Sequence, residues 1–157
     1  MFLTEMHYNL GPVTIMFKNN AVYRIMLNDL NSEFTEPADA PAAHSIAIKL
    51  LQKYFAGDNP NFGAVQLYLK DLDINSIKIY NFLMKNVRYG TTTTYSDLAV
   101  GCGLPKTAAR YIGRIMKNNR IPIIIPCHRV VSKRGLGGYN GGTEKKKFLL
   151  QLEGAVW

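Results

Sequence analysis

The stretch Ile121-Pro122-Ile123-Ile124-Ile125-Pro126 constrains this chain more than any other. None of its six side chains is polar, and its two prolines fix the backbone at the second and last positions. A stiff, apolar segment of this kind lies buried, so its surroundings have to pack around it. It leads directly into Cys127-His128-Arg129. Neighbours on an extended strand point to opposite faces, so Cys127 and His128 cooperate only if the chain turns there, a departure that Pro126 favours. Burial alone makes a cysteine inert, because loss of solvation favours the neutral thiol. A basic neighbourhood made of His128, Arg129 and any nearby helix N-terminus would reverse this by stabilising the thiolate, the nucleophilic form. The Cys-His pair by itself still fits a core cysteine beside a satisfied histidine better than a nucleophile.

A chain of 157 residues is long enough to bury a core without disulfide or metal staples, in one compact domain or two small ones. Hydrophobic residues make up 47% and charged residues 19%, and no apolar run approaches the roughly 20 residues that span a bilayer, so no membrane association is expected. The first ten residues carry Glu5 and no Lys or Arg, unlike the basic start of a secretion signal, which points to an intracellular, cytoplasmic protein. Only Cys102 and Cys127 occur, in unlike settings, and intracellular thiols are usually reduced; both are therefore read as free thiols.

Charge is divided unevenly. Residues 1–70 hold five Lys or Arg against six Asp or Glu, net −1, whereas residues 71–157 hold fourteen against five, net +9. A polarised basic section suits a polyanion, whose neutralised phosphates release counterions. Basicity alone is a weak argument, since many proteins are simply basic.

The shift in composition places a boundary near residue 70. Before it, residues 13–17 and 21–27 are β-branched or aromatic runs separated by Lys18-Asn19-Asn20, the pattern of a hairpin. Residues 28–41 read as a loop, and 42–55 as a helix with Ile46, Leu50, Leu51 and Tyr54 inward and Gly57 ending it. After the boundary, residues 75–86 form a helix with Ile79, Phe82, Leu83 and Val87 on one side. A short helix over 95–100 is broken at Gly101-Cys102-Gly103-Leu104-Pro105, and a second runs over 106–118. In that second helix Ala109, Ile112 and Met116 form an inner stripe, while Lys106, Arg110, Arg114 and Lys117 recur on another. This is a helix-turn-helix pattern, or equally a solvated basic helix of an ordinary bundle.

Beyond Cys127 the chain reads Gly135-Leu136-Gly137-Gly138-Tyr139-Asn140-Gly141-Gly142. Five glycines in eight residues let backbone approach a flat ligand, and Tyr139 offers an aromatic wall; a flexible surface loop has the same composition. The segment lacks the lysine and the strand-to-helix context of a phosphate loop. Residues 143–152 read as a helix with Lys145, Lys146 and Lys147 exposed and Phe148, Leu149 and Leu152 inward. Glu153 at its end is badly placed relative to the helix dipole, which points to a compensating partner such as His128.

Taken together, the Ile-Pro to Pro-Cys-His-Arg-Val-Val run over 121–131, the Gly-Tyr-Asn-Gly-Gly loop and the Leu-Glu-Gly ending resemble the O6-alkylguanine-DNA alkyltransferases. The resemblance is strong over 95–154 and weak over the first 70 residues. It implies an α/β (α+β) protein, with a small ribonuclease-H-like N-terminal domain over 1–70 and a mainly helical, winged-helix-like DNA-binding and alkyl-acceptor domain over 71–157. The implied activity is single-turnover, irreversible transfer of an alkyl group from O6-alkylguanine, and from O4-alkylthymine, in double-stranded DNA to Cys127, by a monomer that flips the damaged nucleotide out of the stack.

The resemblance also assigns roles. His128 takes the thiol proton through a water molecule, Glu153 orients the imidazole, and Tyr95 donates a proton to N3 of the leaving guanine. The carbonyls of Cys127 and Val130 accept from the exocyclic amine, the Asn140 backbone N–H faces O6, and Tyr139 walls the pocket. Arg110 fills the vacancy in the duplex, Asn119 pins the loop before the active cysteine, and Met116 is an apolar pocket residue. Lys106, Thr107, Tyr111 and Arg114 belong to the DNA-contacting surface, which in this family enters the minor groove. The chain departs from the family pattern at Tyr111 and Arg114, where small residues are common, and at Asn140, where serine is common. No cofactor is implied. The zinc of certain relatives finds only His7 and His44 in the first section, too few ligands. Two other readings stay open at this point: a non-catalytic lesion-binding protein of the alkyltransferase-like type, which replaces the acceptor cysteine, and a cysteine hydrolase, which would turn over repeatedly.

Overall fold

The computed structural model describes residues 2–8, 11–27 and 42–157. The expected loop over 28–41 lies outside the described residues. The chain divides into two compact units, Met1–Asp71 and Leu72–Trp157, each with its own core.

In the first unit, β1 (Phe2–Tyr8), β2 (Gly11–Lys18) and β3 (Ala21–Leu27) form an antiparallel sheet in the order β1-β2-β3. The β2–β3 turn is made by Asn19 and Asn20, with φ of 51° and 60°. Asparagine tolerates this left-handed geometry, and two such residues match the right-handed twist of the flanking strands. β2 is the central strand, and Val13, Thr14, Ile15 and Phe17 are all buried on it. Helix α1 (Ala42–Phe55) occupies the expected span but is rotated from the expected face. Its buried stripe is His44, Ala47, Ile48, Leu51 and Tyr54, whereas Ile46 is 41% exposed. The His44 ring stacks on Phe17 with centroids 3.8 Å apart, which sets the helix rotation by a contact no periodicity count includes.

The second unit is built around α2 (Ile74–Asn86), capped by the Asp73 carboxylate, which accepts from the N–H groups of Asn75 and Ser76. Ile79, Tyr80 and Leu83 point into the core, and the Tyr80 hydroxyl donates to Ile115 O at 2.8 Å. A two-residue strand β4 (Thr93–Thr94) lies parallel to β5 (Val130–Val131). Thr94 caps α3 (Tyr95–Gly101) by accepting from Asp97 N–H. At the end of α3 a Cβ on Gly101 would stand 2.5 Å from Phe82, so only glycine lets α2 and α3 approach this closely. The expected helix over 106–118 begins as a 3-10 turn (Lys106–Ala108) and becomes α4 (Ala109–Lys117). Ile112, Ile115 and Met116 are buried on α4, while Arg110, Arg114 and Lys117 are exposed.

The apolar segment over 121–126 is buried but is not an extended strand. Ile125 N–H donates to Ile121 O at 3.0 Å, and Ile123 has a φ of 73°, a region that β-branched residues rarely adopt. Asn119 holds both ends: its Oδ1 accepts from Ile121 N–H at 3.0 Å and its Nδ2 donates to Ile125 O at 2.9 Å. These bonds satisfy the backbone groups at both ends of the buried segment, and it delivers the chain into a 3-10 turn (Cys127–Arg129). Helix α5 (Thr143–Leu152) closes the unit, burying Leu149 and Leu150. Among the described residues no helix is long and apolar enough to cross a membrane.

Candidate active site

The turn at Cys127–Arg129 sends three adjacent side chains to three different surroundings. Cys127 is on the wall of a cavity of about 760 Å³ within the second unit, together with Tyr95, Arg110, Met116, Tyr139 and Asn140. His128 is wholly buried behind that wall, its Nε2 at 2.7 Å from Glu153 Oε1. Arg129 turns toward α2: its Nε and Nη2 donate to the two Glu153 oxygens at 2.9 and 3.0 Å, and its Nη1 donates to Val87 O at 2.9 Å. Arg129 is therefore spent on Glu153 and does not stand beside the thiol as the sequence reading expected. Glu153 accepts further from Gly90 N–H at 3.2 Å, and a Cβ on Gly90 would stand 3.0 Å from Glu153 O. Glycine with a φ of 75° is what lets the chain beyond α2 reach the carboxylate.

Burial works against the Glu153 charge, but hydrogen bonds and charge from His128 and Arg129 outweigh it and hold its pKa at about 2. An ionised Glu153 assigns the imidazole proton to Nε2 and leaves the basic lone pair on Nδ1. Burial is also the main influence on His128 and lowers its pKa despite Glu153, so the ring rests neutral. The thiol of Cys127 is pushed up to about 11 by burial, offset only in part by Asn119 Nδ2, 3.0 Å from Sγ, and by the charge of Lys146. The basic neighbourhood thus does not override desolvation, and the resting sulfur is a neutral thiol.

Lys146 is the residue that sequence reasoning missed. It was expected on the exposed face with Lys145 and Lys147, yet it is 0% exposed. Its Nζ donates to Val130 O at 2.6 Å and to Gly138 O at 3.1 Å, joining β5 to the glycine loop, and it lies 5.8 Å from the Tyr95 ring centroid. Burial lowers its pKa to about 8, with the Cys127 charge acting in the opposite sense. The signal available in the sequence was positional: Lys146 lies three and four residues before the buried Leu149 and Leu150. The Tyr95 hydroxyl shares the same acceptor, Gly138 O, at 3.3 Å. A Cβ on Gly137 would stand 3.1 Å from the Tyr95 ring, so the loop needs glycine there.

The expected site residues fall into three groups. Tyr95, Arg110, Met116, Cys127, Tyr139 and Asn140 line the cavity. Asn119, His128, Val130 and Glu153 are buried. Lys106, Thr107 and Arg114 are exposed on the 3-10 turn and α4, with Tyr111 half-buried and its ring centroid 5.4 Å from the Arg114 guanidinium. Among the described residues no group of His, Cys, Asp and Glu is arranged to hold a metal ion.

Residues 76–155 match the family described as 6-O-methylguanine DNA methyltransferase, DNA binding domain. A methylated-DNA–protein-cysteine methyltransferase of Mycobacterium tuberculosis is 35% identical over 147 residues, covering 92% of this chain and 87% of that protein. The chain belongs to the methylated-DNA–protein-cysteine methyltransferase family. A Thermococcus gammatolerans member is 53% identical over 77 residues; the match spans 49% of this chain and less than half, 42%, of that protein. The crystal structure of Mycobacterium tuberculosis OGT in complex with DNA superposes with a TM-score of 0.82 at 32% identity, covering 98% of this chain and 93% of that one. The mixed α/β architecture described above is therefore that of the methyltransferase family.

Glu153→Gln leaves the Arg129 guanidinium without its countercharge, and is expected to cost about 3 to 5 kcal/mol at neutral pH. The folded-state pKa of about 2 lies below the ordinary 4.5, so this contribution is complete above about pH 4.5 and is lost as pH falls toward 2. Denaturant unfolding of both proteins between pH 7 and 3 checks this, with the gap between them narrowing as pH falls. Lys146→Met is expected to speed hydrogen exchange across 137–142, whereas Lys147→Met leaves it unchanged.

Proposed function

We propose that this chain repairs DNA by transferring the alkyl group of O6-alkylguanine, and of O4-alkylthymine, to Cys127 in a single irreversible turnover. The observation that carries the reading is the thiol on the cavity wall with the His128–Glu153 pair, 2.7 Å apart, packed behind it. Glu153 keeps Nε2 protonated, so Nδ1 is the atom that takes the thiol proton, through a water molecule. The sulfur then displaces guanine: the S–C bond forms as the C–O6 bond breaks, and the released electron pair stays with the base. Tyr95 donates its proton to N3 and regains one from the imidazolium side of the site. Its present bond to Gly138 O, 3.3 Å long, is weak enough to be exchanged for that contact.

Recognition follows from the same cavity. Cys127 O already accepts from Val130 N–H, and Val130 O from Lys146; each carbonyl has a second lone pair for the exocyclic amine. Asn140 N–H faces O6, and Met116 and Tyr139 sandwich the ring. The reacting carbon is inaccessible within stacked duplex, so the nucleotide has to rotate into the cavity, with Arg110 filling its place. In this reading the monomer places α4 in the minor groove, where degenerate readout suits lesions in any sequence. Lys106, Thr107 and Arg114 meet the backbone, and Tyr111, braced by Arg114, flanks the groove. The two units then correspond to a ribonuclease-H-like domain and a winged-helix-like DNA-binding domain of a cytoplasmic protein.

Mixing the protein with duplex DNA carrying O6-methylguanine is expected to add one methyl group to Cys127 per protein molecule, read by mass spectrometry of the intact protein and its peptides. Alkylation at Cys102, or product in several-fold excess over protein, overturns the reading. Cys127→Ala is expected to abolish transfer and retain DNA binding. Tyr111→Ala is expected to weaken duplex binding by about 1 to 3 kcal/mol with little change in melting temperature. A large melting loss with unchanged affinity would instead make Tyr111 a packing residue.

A further inference from the structure

Three tyrosines lie within electrostatic reach of Cys127: Tyr80 from α2, Tyr95 from α3 and Tyr139 from the glycine loop. Two of the hydroxyls are committed, Tyr80 to Ile115 O at 2.8 Å and Tyr95 to Gly138 O at 3.3 Å. Tyr139 Oη is different. It is buried and meets no hydrogen-bond partner among the described residues, although Tyr139 and Cys127 share one cavity wall. A hydroxyl removed from water without a replacement partner carries the whole cost of its desolvation, and such groups in folded proteins call for an explanation.

The backbone of its own loop packs against one edge of the ring. A Cβ on Gly141 would stand 3.0 Å from Tyr139 Cε1 and 3.3 Å from Cδ1, so bare backbone packs against the ring edge. Gly142 N–H closes the turn by donating to Tyr139 O at 3.1 Å. Burial, and then the charge of an ionised Cys127, raise the Tyr139 pKa well above the ordinary value for a tyrosine, so the hydroxyl keeps its proton and remains a donor.

The other groups around the sulfur are engaged elsewhere as well. Asn119 Nδ2 divides its donation between Sγ and Ile125 O, Lys146 Nζ serves two carbonyls, and His128 Nε2 is bound to Glu153. A thiolate forming here carries a full charge in a site that already disfavours it, and charge-assisted hydrogen bonds are the strong ones.

We propose that the Tyr139 hydroxyl donates a hydrogen bond to Cys127 Sγ in its thiolate form, its unpartnered burial at rest keeping a donor ready for that charge. This rests on the reading of Cys127 as the alkyl acceptor. No proton changes hands between the two residues: the thiol proton leaves toward His128, and Tyr139 keeps its own.

The test is Tyr139→Phe, which preserves the aromatic wall and removes only the hydroxyl. Both proteins carry Cys102→Ser, and the rate of Cys127 carboxamidomethylation by iodoacetamide is followed from pH 6 to 11. The other groups that act on the sulfur, Asn119 by its hydrogen bond and Lys146, Tyr80 and Tyr95 through charge, and the neighbouring His128, are common to both proteins, so a displacement between the two profiles reports the hydroxyl. Loss of one donor to a thiolate is expected to move the Tyr139→Phe profile to higher pH and to slow labelling at neutral pH by about tenfold. Methyl transfer from DNA at pH 7 slows by a similar factor while DNA affinity stays within about twofold. Profiles that superimpose overturn the proposal, and so does a loss equal at every pH. A second variant carrying 3-fluorotyrosine at position 139 keeps the ring and is a stronger donor; it is expected to shift the profile to lower pH, and no shift overturns the proposal. Iodoacetamide needs no DNA, so failure of the alkyl-transfer reading shows as absent methylation in the parent protein and is distinguishable from failure here.

Discussion

The carboxylate of Glu153 is the point on which the second unit depends. It is buried at the end of α5 and accepts from His128 in the 3-10 turn, from Arg129 beside it and from the backbone of Gly90 beyond α2. A buried carboxylate without partners would cost more than the domain could offset, so the partners are as necessary to the fold as the charge is to them. The same contacts that satisfy it bring the end of α2, the cysteine turn and the end of α5 to one place. They also fix the histidine tautomer, so the chemistry proposed for the site follows from an arrangement the fold requires in any case.

A second constraint acts on the cavity side. Lys146 is buried without a carboxylate and is stabilised by carbonyl oxygens instead, which lets its charge act on Cys127 while its hydrogen bonds hold β5 to the glycine loop. Tyr95 meets the loop at the same carbonyl, Gly138 O. The loop that looks like a flexible segment in composition is thus anchored from α3 and from α5. Against these influences burial keeps the sulfur neutral, with a pKa of about 11. A neutral thiol is a weaker nucleophile than a thiolate, so the site has to stabilise the charge that forms as the proton leaves.

Much of this was legible along the chain, because helix periodicity, hairpin turns and capping residues act over a few positions. The span of α1, the hairpin at Asn19-Asn20 and the helix pair α3 and α4 all follow from such local signals. The pairing of Glu153 with His128 is legible too, since a carboxylate at a helix C-terminus needs a partner, although the cation it meets is Arg129. Local rules misplaced Ile46, because the buried stripe runs through His44, which stacks on Phe17, and Ile48 instead. They read 121–126 as extended, because nothing in the apolar run announces that Asn119 folds it into a turn.

The sequence by itself determined which groups were available: one cysteine after a proline-bounded apolar run, a histidine and an arginine beside it, a glycine loop with a tyrosine, and a basic second half. Only the tertiary structure decided what each group faces. Lys145, Lys146 and Lys147 are chemically identical neighbours, yet Lys146 alone is buried, because α5 turns that one position toward β5. Cys127, His128 and Arg129 are consecutive, yet one lines a cavity, one pairs with a carboxylate from behind, and one clamps that carboxylate to α2. Residue identity sets the charge and the hydrogen bonds a side chain can make. Desolvation and distance set which of them it does make, and both are properties of the packed chain.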